Sequence, residues 1–319
     1  MITIIFATYN GARTLPTMLE SFRRLRDPGE SWRLIAGNNA STDSTADILA
    51  EYTKYVPLTN LCIPERGKNR ALNTALQYVS GDLTVLTDDD VIPKPTWLMQ
   101  VRHVADALPD YDIFGGQIEL RWPIDPPDWI LSEVALGPVF ASTAGLAEGP
   151  TLPTNIWGAN MCVRTVLFTR HALRFNEHVG PASGNYVMGS ETEFVARAAA
   201  AGHACWHTKG PTVEHIVLPE QLNAHWLLNR AYRAGRSRGL QEKNRNGRSP
   251  VATILGLPRW RVRKLLEEQA RTLWFQLSRR RRLFFRHQQK VYHTMGVLYE
   301  LAPPAIKPLM RKKLRQKVR

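Results

Sequence analysis

Two apolar runs without helical period open the chain, and each ends in a polar turn. Ile2-Thr3-Ile4-Ile5-Phe6-Ala7 is apolar on both faces and stops at Asn10-Gly11, the pattern of a strand buried on both sides. Arg33-Leu34-Ile35-Ala36-Gly37 repeats it. Asn38-Asn39-Ala40-Ser41-Thr42-Asp43 follows, a polar turn that supplies an N-cap for the next segment. Between these runs the period changes. Leu15, Met18, Leu19, Phe22 and Leu25 recur at helical spacing, with Pro16 tolerated in the first turn. Ile48, Leu49 and Tyr52 mark a second helix, and Ala71, Leu72, Ala75, Leu76 and Val79 a third, spanning Asn69 to Val79 and closed by Ser80-Gly81. A further apolar run, Leu83-Thr84-Val85-Leu86, then meets Thr87-Asp88-Asp89-Asp90. Strand alternating with helix is the grammar of an α/β fold with a mainly parallel sheet.

After Trp97 the pattern loosens. Ile113 to Leu120 and Trp157 to Val163 read as strands around a proline-rich stretch from Trp122 to Pro153, to which no element is assigned. Glu193 to Ala201 is a short helix stopped by Gly202, and Thr212 to Leu218 a final strand. From Asn223 helical spacing dominates (Trp226, Leu227, Ala231, Tyr232), and it resumes around Trp260, Leu265, Leu273 and Trp274 after a linker at Arg245-Asn246-Gly247-Arg248-Ser249-Pro250. No internal repeat is visible. The expected organisation is an α/β domain over residues 1–222 and a helical, basic region over 223–319.

Composition narrows the class. With 44% hydrophobic residues and 21 prolines in 319 residues the chain is globular rather than disordered. Cys62, Cys162 and Cys205 are widely spaced and odd in number, against a disulfide framework or zinc site and for a reducing compartment. The run Ile2 to Ala7 is too short for a signal peptide, and no apolar stretch approaches the roughly 20 residues of a membrane span. The net charge of +14 is uneven: residues 257–319 hold 18 basic against 3 acidic side chains, a local +15, so the first 256 residues carry −1.

The three successive carboxylates change the picture most. Side by side they repel, and at the end of an apolar run they also lose hydration. A hard divalent cation, Mg²⁺ or Mn²⁺, relieves both costs, because oxygen ligands suit it; a solvated acidic turn is the plain alternative. Open α/β sheets bind ligands beyond the carboxyl ends of their strands, where these acids stand, and that favours the cation.

The order of motifs resembles the family 2 glycosyltransferases, whose fold is GT-A, over about residues 2–240. Thr8-Tyr9-Asn10 matches the family's nucleotide-cradling turn, and Thr87-Asp88-Asp89-Asp90-Val91 with Pro93 and Trp97-Leu98 its metal-binding DxD region. Gly158-Ala159-Asn160-Met161 with Arg164 matches a strand near the acceptor pocket. Gly189-Ser190-Glu191-Thr192-Glu193-Phe194, with Arg197 and Gly202, matches the segment bearing the catalytic base, and His215 the histidine that completes the metal or diphosphate site. The resemblance implies an inverting, metal-dependent transferase moving a sugar from a nucleotide-sugar, UDP-sugars favoured, to a glycan or lipid-linked acceptor in exopolysaccharide or other cell-surface polysaccharide assembly. It assigns Ala7, Thr8, Tyr9, Asn38, Lys68, Asp88 and Asp89 to the nucleotide-sugar, and Asp90, Asp88 and His215 to the metal. Glu191 becomes the general base, with Asn160 and Glu193 on the acceptor side and Glu193 the alternative base. Two positions depart from the family pattern. Asn38 stands where an aspartate usually bonds the uracil, and Gly189-Ser190-Glu191 where Gly-Glu-Asp is usual, making the base one methylene longer.

The chemistry agrees with those roles. Breaking a glycosidic bond to diphosphate puts charge on a phosphate oxygen, which a cation neutralises, and the acceptor hydroxyl must lose its proton to a carboxylate. Arg66-Gly67-Lys68-Asn69-Arg70 reads either as a phosphate ligand or as a solvated turn, and Asn160 either as an acceptor contact or as a residue that satisfies backbone groups. His203 and His207 read as structural, and Cys162 as a small buried hydrophobe. Arg279 to Arg282 and Lys307 to Arg319 admit three readings: nucleic acid, an anionic membrane surface, or a solvated helix pair. The membrane is preferred, with Trp274, Phe275, Phe284 and Phe285 at the interface, which places a cytoplasmic protein peripherally on the inner face of a membrane. No nucleic-acid partner is expected, since nothing resembles a known module for one. Two other functions stay open at this point: a sugar-phosphate nucleotidyltransferase, for which Ala7-Thr8-Tyr9-Asn10-Gly11 is a poor glycine-rich loop, and a basic nucleic-acid-binding protein with an inactive sheet domain.

Overall fold

The computed structural model describes residues 1–182, 186–245 and 252–310. The expected linker lies outside them from residue 246 onward, as does the basic stretch after Met310. In chain order the first half contains β1 (Ile2–Thr8), α1 (Leu15–Arg23), β2 (Trp32–Asn39), α2 (Thr45–Tyr52), β3 (Leu58–Ile63), α3 (Lys68–Ala75), β4 (Leu83–Leu86), β5 (Val91–Pro93) and α4 (Trp97–Ala107). There follow β6 (Ile113–Arg121), α5 (Asp128–Glu133), α6 (Leu136–Phe140), β7 (Gly149–Pro150), β8 (Met161–Arg164), α7 (Val166–Thr169), α8 (Ser190–Ala200) and β9 (Cys205–Ile216). The chain closes with α9 (Ala224–Arg245), a small hairpin of β10 (Thr253–Ile254) and β11 (Leu257–Pro258), α10 (Arg259–Leu277) and α11 (Arg281–Leu301). Two compact units result. One holds residues 1–123, 136–184 and 190–217; the other holds 124–135, 185–189 and 218–319.

The first unit is built on one sheet with strand order β3-β2-β1-β4-β8-β6-β9-β5, β7 adding to β9. β1 is paired parallel on both sides, Ile4 lying opposite Leu34 of β2 and Val85 of β4. The chain steps outward from β1 to β3 and then returns to the far side of β1 as β4, so strand order reverses between β1 and β4. Past β4 the sheet is mixed: β8 runs antiparallel to β4 and β6, while β6 and β9 are parallel. Alternate residues of β1 enter two cores. Ile4 and Phe6 join Leu15, Met18 and Phe22 of α1 and Trp97 of α4. Ile5 joins Leu72 and Ala75 of α3 and Phe194 and Val195 of α8. Both faces are therefore covered, which is why the run shows no alternation. Each such large side chain withdrawn from water contributes about 1.5–3 kcal/mol.

Several expected elements shift. The strand expected from Trp157 begins only at Met161, because Gly158–Asn160 forms a 3₁₀ turn closed by the Asn160 amide donating to the Trp157 carbonyl. The third helix tightens into a 3₁₀ turn at Leu76–Tyr78. The last strand starts earlier, at Cys205, and the proline-rich stretch holds α5, α6 and β7.

In the second unit α9 and α11 cross closely at glycines. A Cβ on Gly235 would overlap the His293 carbonyl, and one on Gly296 the Tyr232 carbonyl. α10 packs with charged side chains inward: Glu268 accepts from His287 Nδ1 at 2.5 Å, and Arg261 pairs with Glu242. The aromatics expected at a membrane surface behave differently from one another. Phe285 is buried edge-on to Trp129 at 4.8 Å, and Phe275 stacks on His287 at 5.1 Å. Phe285 is therefore closed to lipid, Phe275 is half-buried, and Trp274 remains 66% exposed.

Candidate active site

β1 and β4 end side by side where strand order reverses, and both ends carry polar side chains. The Thr8 hydroxyl at the end of β1 donates to Asp89 Oδ2 at 2.5 Å. Gly11 leaves room for that contact, since a Cβ there would overlap the hydroxyl. Thr8 also lies opposite Asn38, and Ala7 opposite Gly37, at the end of β2. Asn38 is buried, its Oδ1 accepting from the Ser41 amide at 3.4 Å. Tyr9 projects outward with the Arg66 guanidinium 3.8 Å above its ring.

Lys68, the first residue of α3, joins both sides of the site. Its Nζ donates to Asp88 Oδ1 and to Glu191 Oε1, each at 2.7 Å. Glu191 sits in the first turn of α8, and α8 is tied to α3 by the Ser190 hydroxyl donating to Asn69 Oδ1. The Asn69 amide in turn donates to the carbonyls of Asn176 and Val179 at 2.7 and 2.8 Å. Gly158 lies flush against Glu191, where any Cβ would collide with its carboxylate.

The charges are mutually dependent. Burial opposes the Lys68 charge, but Asp88 and Glu191 outweigh it and hold the ammonium firmly protonated. Burial raises Asp88, with Glu191 and Asp90 adding to the shift and Lys68 opposing it. Burial together with the neighbouring Asp90 charge pushes Asp89 up to about 7, against the Thr8 hydrogen bond. Burial also opposes charge on Asp90 and His215, yet each outweighs it for the other: Asp90 stays below the usual carboxylate range and His215 rises to about 9. Their closest approach is 3.4 Å, from His215 Nε2 to Asp90 Oδ2. His215 Nδ1 lies 2.7 Å from the Phe140 carbonyl, which fixes the ring and turns Nε2 toward Asp90.

Asp90 Oδ1 is buried without a hydrogen-bond partner, a costly state for a carboxylate oxygen. An unsatisfied oxygen beside an oriented imidazole nitrogen suits a divalent cation with oxygen and nitrogen ligands. Among the described residues no three histidine, cysteine or acidic groups converge on one point. Asp88, also expected as a metal ligand, accepts from Lys68 Nζ through Oδ1.

Two residues expected on the acceptor side are otherwise employed. Asn160 is 2% exposed; its Nδ2 donates to the Gln117 and Pro211 carbonyls, both at 2.9 Å, and its Oδ1 accepts from Trp97 Nε1 at 3.0 Å. These bonds serve the framework, tying together three backbone and side-chain groups around Asn160. Glu193 accepts from Arg197 through both oxygens at 2.7 and 3.1 Å. An open cavity of about 420 Å³ is lined by Leu136, Pro138, Ser142, Thr154, Asn155 and Trp157. Trp157 immediately precedes Gly158, the neighbour of Glu191. Asn69 and Ser190, which set the distance between Lys68 and Glu191, carry no local sequence signal because 121 residues separate them.

The profile of the family described as "Glycosyl transferase family 2" matches residues 3–167, more than half of the chain. The chain belongs to that family. Glycosyltransferase AglE of Haloferax volcanii is 23% identical over 205 residues, 64% of this chain and 62% of AglE. The undecaprenyl-phosphate 4-deoxy-4-formamido-L-arabinose transferase of Pectobacterium carotovorum is 25% identical over 119 residues, 36% of each chain. This family 2 chain thus spans between about a third and under two thirds of those relatives. Among solved structures, TarS of S. aureus aligns with 99% of this chain and 88% of its own at a TM-score of 0.52 and 14% identity. The mannosyltransferase PcManGT of Pyrobaculum calidifontis, in complex with GDP-Man and Mn²⁺, aligns with 99% of this chain and 74% of its own at 0.55 and 18% identity. At such identities the likeness is one of fold, and that fold is GT-A.

Proposed function

We propose that the chain is an inverting glycosyltransferase that takes a sugar from a nucleotide-sugar, UDP-sugars favoured, with Mg²⁺ or Mn²⁺ as cofactor. Its acceptor is a glycan or a lipid-linked sugar, in exopolysaccharide or other cell-surface polysaccharide assembly. One observation carries the reading: a single ammonium, Lys68 Nζ, lies 2.7 Å from Asp88 at the reversal of strand order and 2.7 Å from Glu191 opposite. The donor side and the proton acceptor are thus within one lysine's reach.

The residues of the chain account for the steps. Asn38, Tyr9 and the ends of β1 and β2 hold the nucleotide at the place where α/β sheets of this topology bind ligands. A donor diphosphate competes with Glu191 for the Lys68 ammonium, and loss of that hydrogen bond frees a Glu191 oxygen to meet the acceptor hydroxyl. Glu191 then takes the proton of the acceptor hydroxyl while its oxygen bonds to the anomeric carbon and the bond to diphosphate breaks, which inverts the anomeric configuration. Asp90 and His215 would hold a divalent cation, and the chemistry it would supply is neutralisation of the charge that develops on the leaving diphosphate. The cavity beside Trp157 presents an aromatic face and hydroxyl and amide groups, a lining that suits a sugar ring. Names that include undecaprenyl-phosphate and dolichyl-phosphate transferases among the relatives support a lipid-linked acceptor. On this reading such an acceptor is met peripherally, at the inner face of a membrane; separately, no described helix is long and apolar enough to cross one.

A donor screen with Mn²⁺ or Mg²⁺, read as released nucleoside diphosphate, tests the proposal. The expected result is turnover of a UDP- or GDP-sugar that disappears on chelation and in Asp90→Ala. Release of pyrophosphate would assign nucleotidyl transfer instead, and no turnover of any donor would overturn the reading.

A further inference from the structure

Helix α10 turns two charged side chains inward and a set of large apolar ones outward. Its charged side chains Arg261 and Glu268 are buried at 8% and 5% exposure, paired with Glu242 and His287. Its leucines point the other way: Leu266, Leu273 and Leu277 are 59%, 57% and 73% exposed, and Trp274 66%. With Ala270 these occupy positions i, i+4, i+7, i+8 and i+11, a continuous stripe along one face. The adjoining hairpin adds Leu255 at 78% and Ile254 at 46%, carried on a backbone bond from the Arg259 amide to the Ala252 carbonyl. Seven of the fifteen exposed large hydrophobic side chains among the described residues fall between Ile254 and Leu277. Single exposed leucines are ordinary, but a concentrated patch marks a binding surface.

The charge around the stripe identifies what covers it. Between residues 252 and 286 nine basic side chains are exposed, Arg279 to Arg282 among them, against one exposed acid, Glu267, which is already paired with Arg263. A second copy would bring one strongly basic face against another, and like charges there oppose association. Nucleic acid would satisfy the arginines but leave the leucines nothing apolar to enter. We propose that α10 and its hairpin form an interfacial helix that docks on an anionic lipid surface, leucines and Trp274 among the acyl chains and arginines at the headgroups. The docking face is then the exposed stripe rather than the phenylalanines of α11, and it depends on no feature of the sugar-transfer site.

Co-sedimentation of the full chain with vesicles tests it without any activity readout. Vesicles containing about one third phosphatidylglycerol should retain the protein, neutral phosphatidylcholine vesicles should not, and high salt should release part of it. The pair Leu273→Glu and Leu277→Glu, both on the surface and so compatible with folding, should weaken retention by roughly tenfold or more. Leu152→Glu, an exposed leucine of the first unit at 67%, should leave retention unchanged. Trp274 fluorescence, read as the difference from Trp274→Phe, should be quenched by brominated acyl chains. The proposal is overturned by equal binding to neutral vesicles, or by unchanged retention of the double variant. It is likewise overturned by a solution dimer that the double variant splits, or by displacement of the protein onto RNA or DNA added in competition with anionic vesicles.

Discussion

The two units of the molecule distribute charge in opposite ways. The first is conventional in its core, with Ile2, Ile4 and Phe6 wholly buried, and concentrates its unfavourable groups at one place: three consecutive aspartates, two of them shifted toward the protonated state. The second spreads charge through its interior as matched pairs, Arg261 with Glu242 and Arg236 with Glu300, and turns leucines outward. The lesson concerns compensation. A buried charge with its partner at hand is structure, whereas a buried charge left short of partners is a place prepared for something not yet bound.

The largest effect that separates the two is catalytic. Glu191→Gln should lower kcat by about 10²–10⁴-fold with folding intact, a loss of roughly 3–5 kcal/mol of transition-state stabilisation. Full activity in that variant, measured in the donor assay, would remove Glu191 from the chemistry. Next comes Gly296→Ala in the second unit, whose methyl group would press on the Tyr232 carbonyl. Overpacking of this kind costs about 1–3 kcal/mol, and thermal melting should show a clear decrease. In the first unit a substitution should move stability the other way. Asp89→Asn removes a buried charge from a crowded set, so the metal-free protein should gain about 0.5–2 kcal/mol while donor turnover falls. A lower melting temperature would mean that the aspartates are already balanced.

The smallest expected effect concerns acid. Arg102 forks onto Glu30 at 2.5 and 2.8 Å and onto Asp82 at 2.6 and 2.8 Å. The Arg102 hydrogen bonds hold Asp82 well below the usual carboxylate range; burial pushes Glu30 up, but Arg102 and the amino terminus outweigh it. Both acids therefore bind fewer protons folded than unfolded. Their stabilisation is complete above the ordinary carboxylate pKa of about 4 and fades as pH falls through the lowered values. Arg102→Met should flatten the acid limb of a stability-against-pH curve, and an unchanged limb would show that the fork carries no linkage.

Legibility in the sequence followed the same division. β1 and β4 were readable because burial on both faces leaves an unbroken apolar run, and the aspartates because such a run cannot end in three acids without a reason. β3 was not readable: as an edge strand its Thr59, Asn60 and Cys62 are exposed, which erases both the run and the alternation. Lys68 was readable as a basic residue at the start of a helix, with phosphate ligand and solvated turn both open. Its second contact, Glu191, is 123 positions away, and only the fold brings the two together. For Asn160 the sequence left two roles open, and its carbonyl partners on Gln117 and Pro211 are backbone atoms that no side-chain pattern reports. Phe285 looked like a lipid contact until Trp129 was found against it.

Asn160 has a consequence of its own. Its amide end serves two carbonyls and its oxygen end one indole, so only a side chain with a donor head and an acceptor head of that length completes the set. Aspartate would set a carboxylate against two carbonyl oxygens, and leucine would leave all three groups stranded. Deamidation at this single position would therefore damage an ageing molecule from within, loosening three separate segments at once while every residue assigned to the chemistry stayed intact.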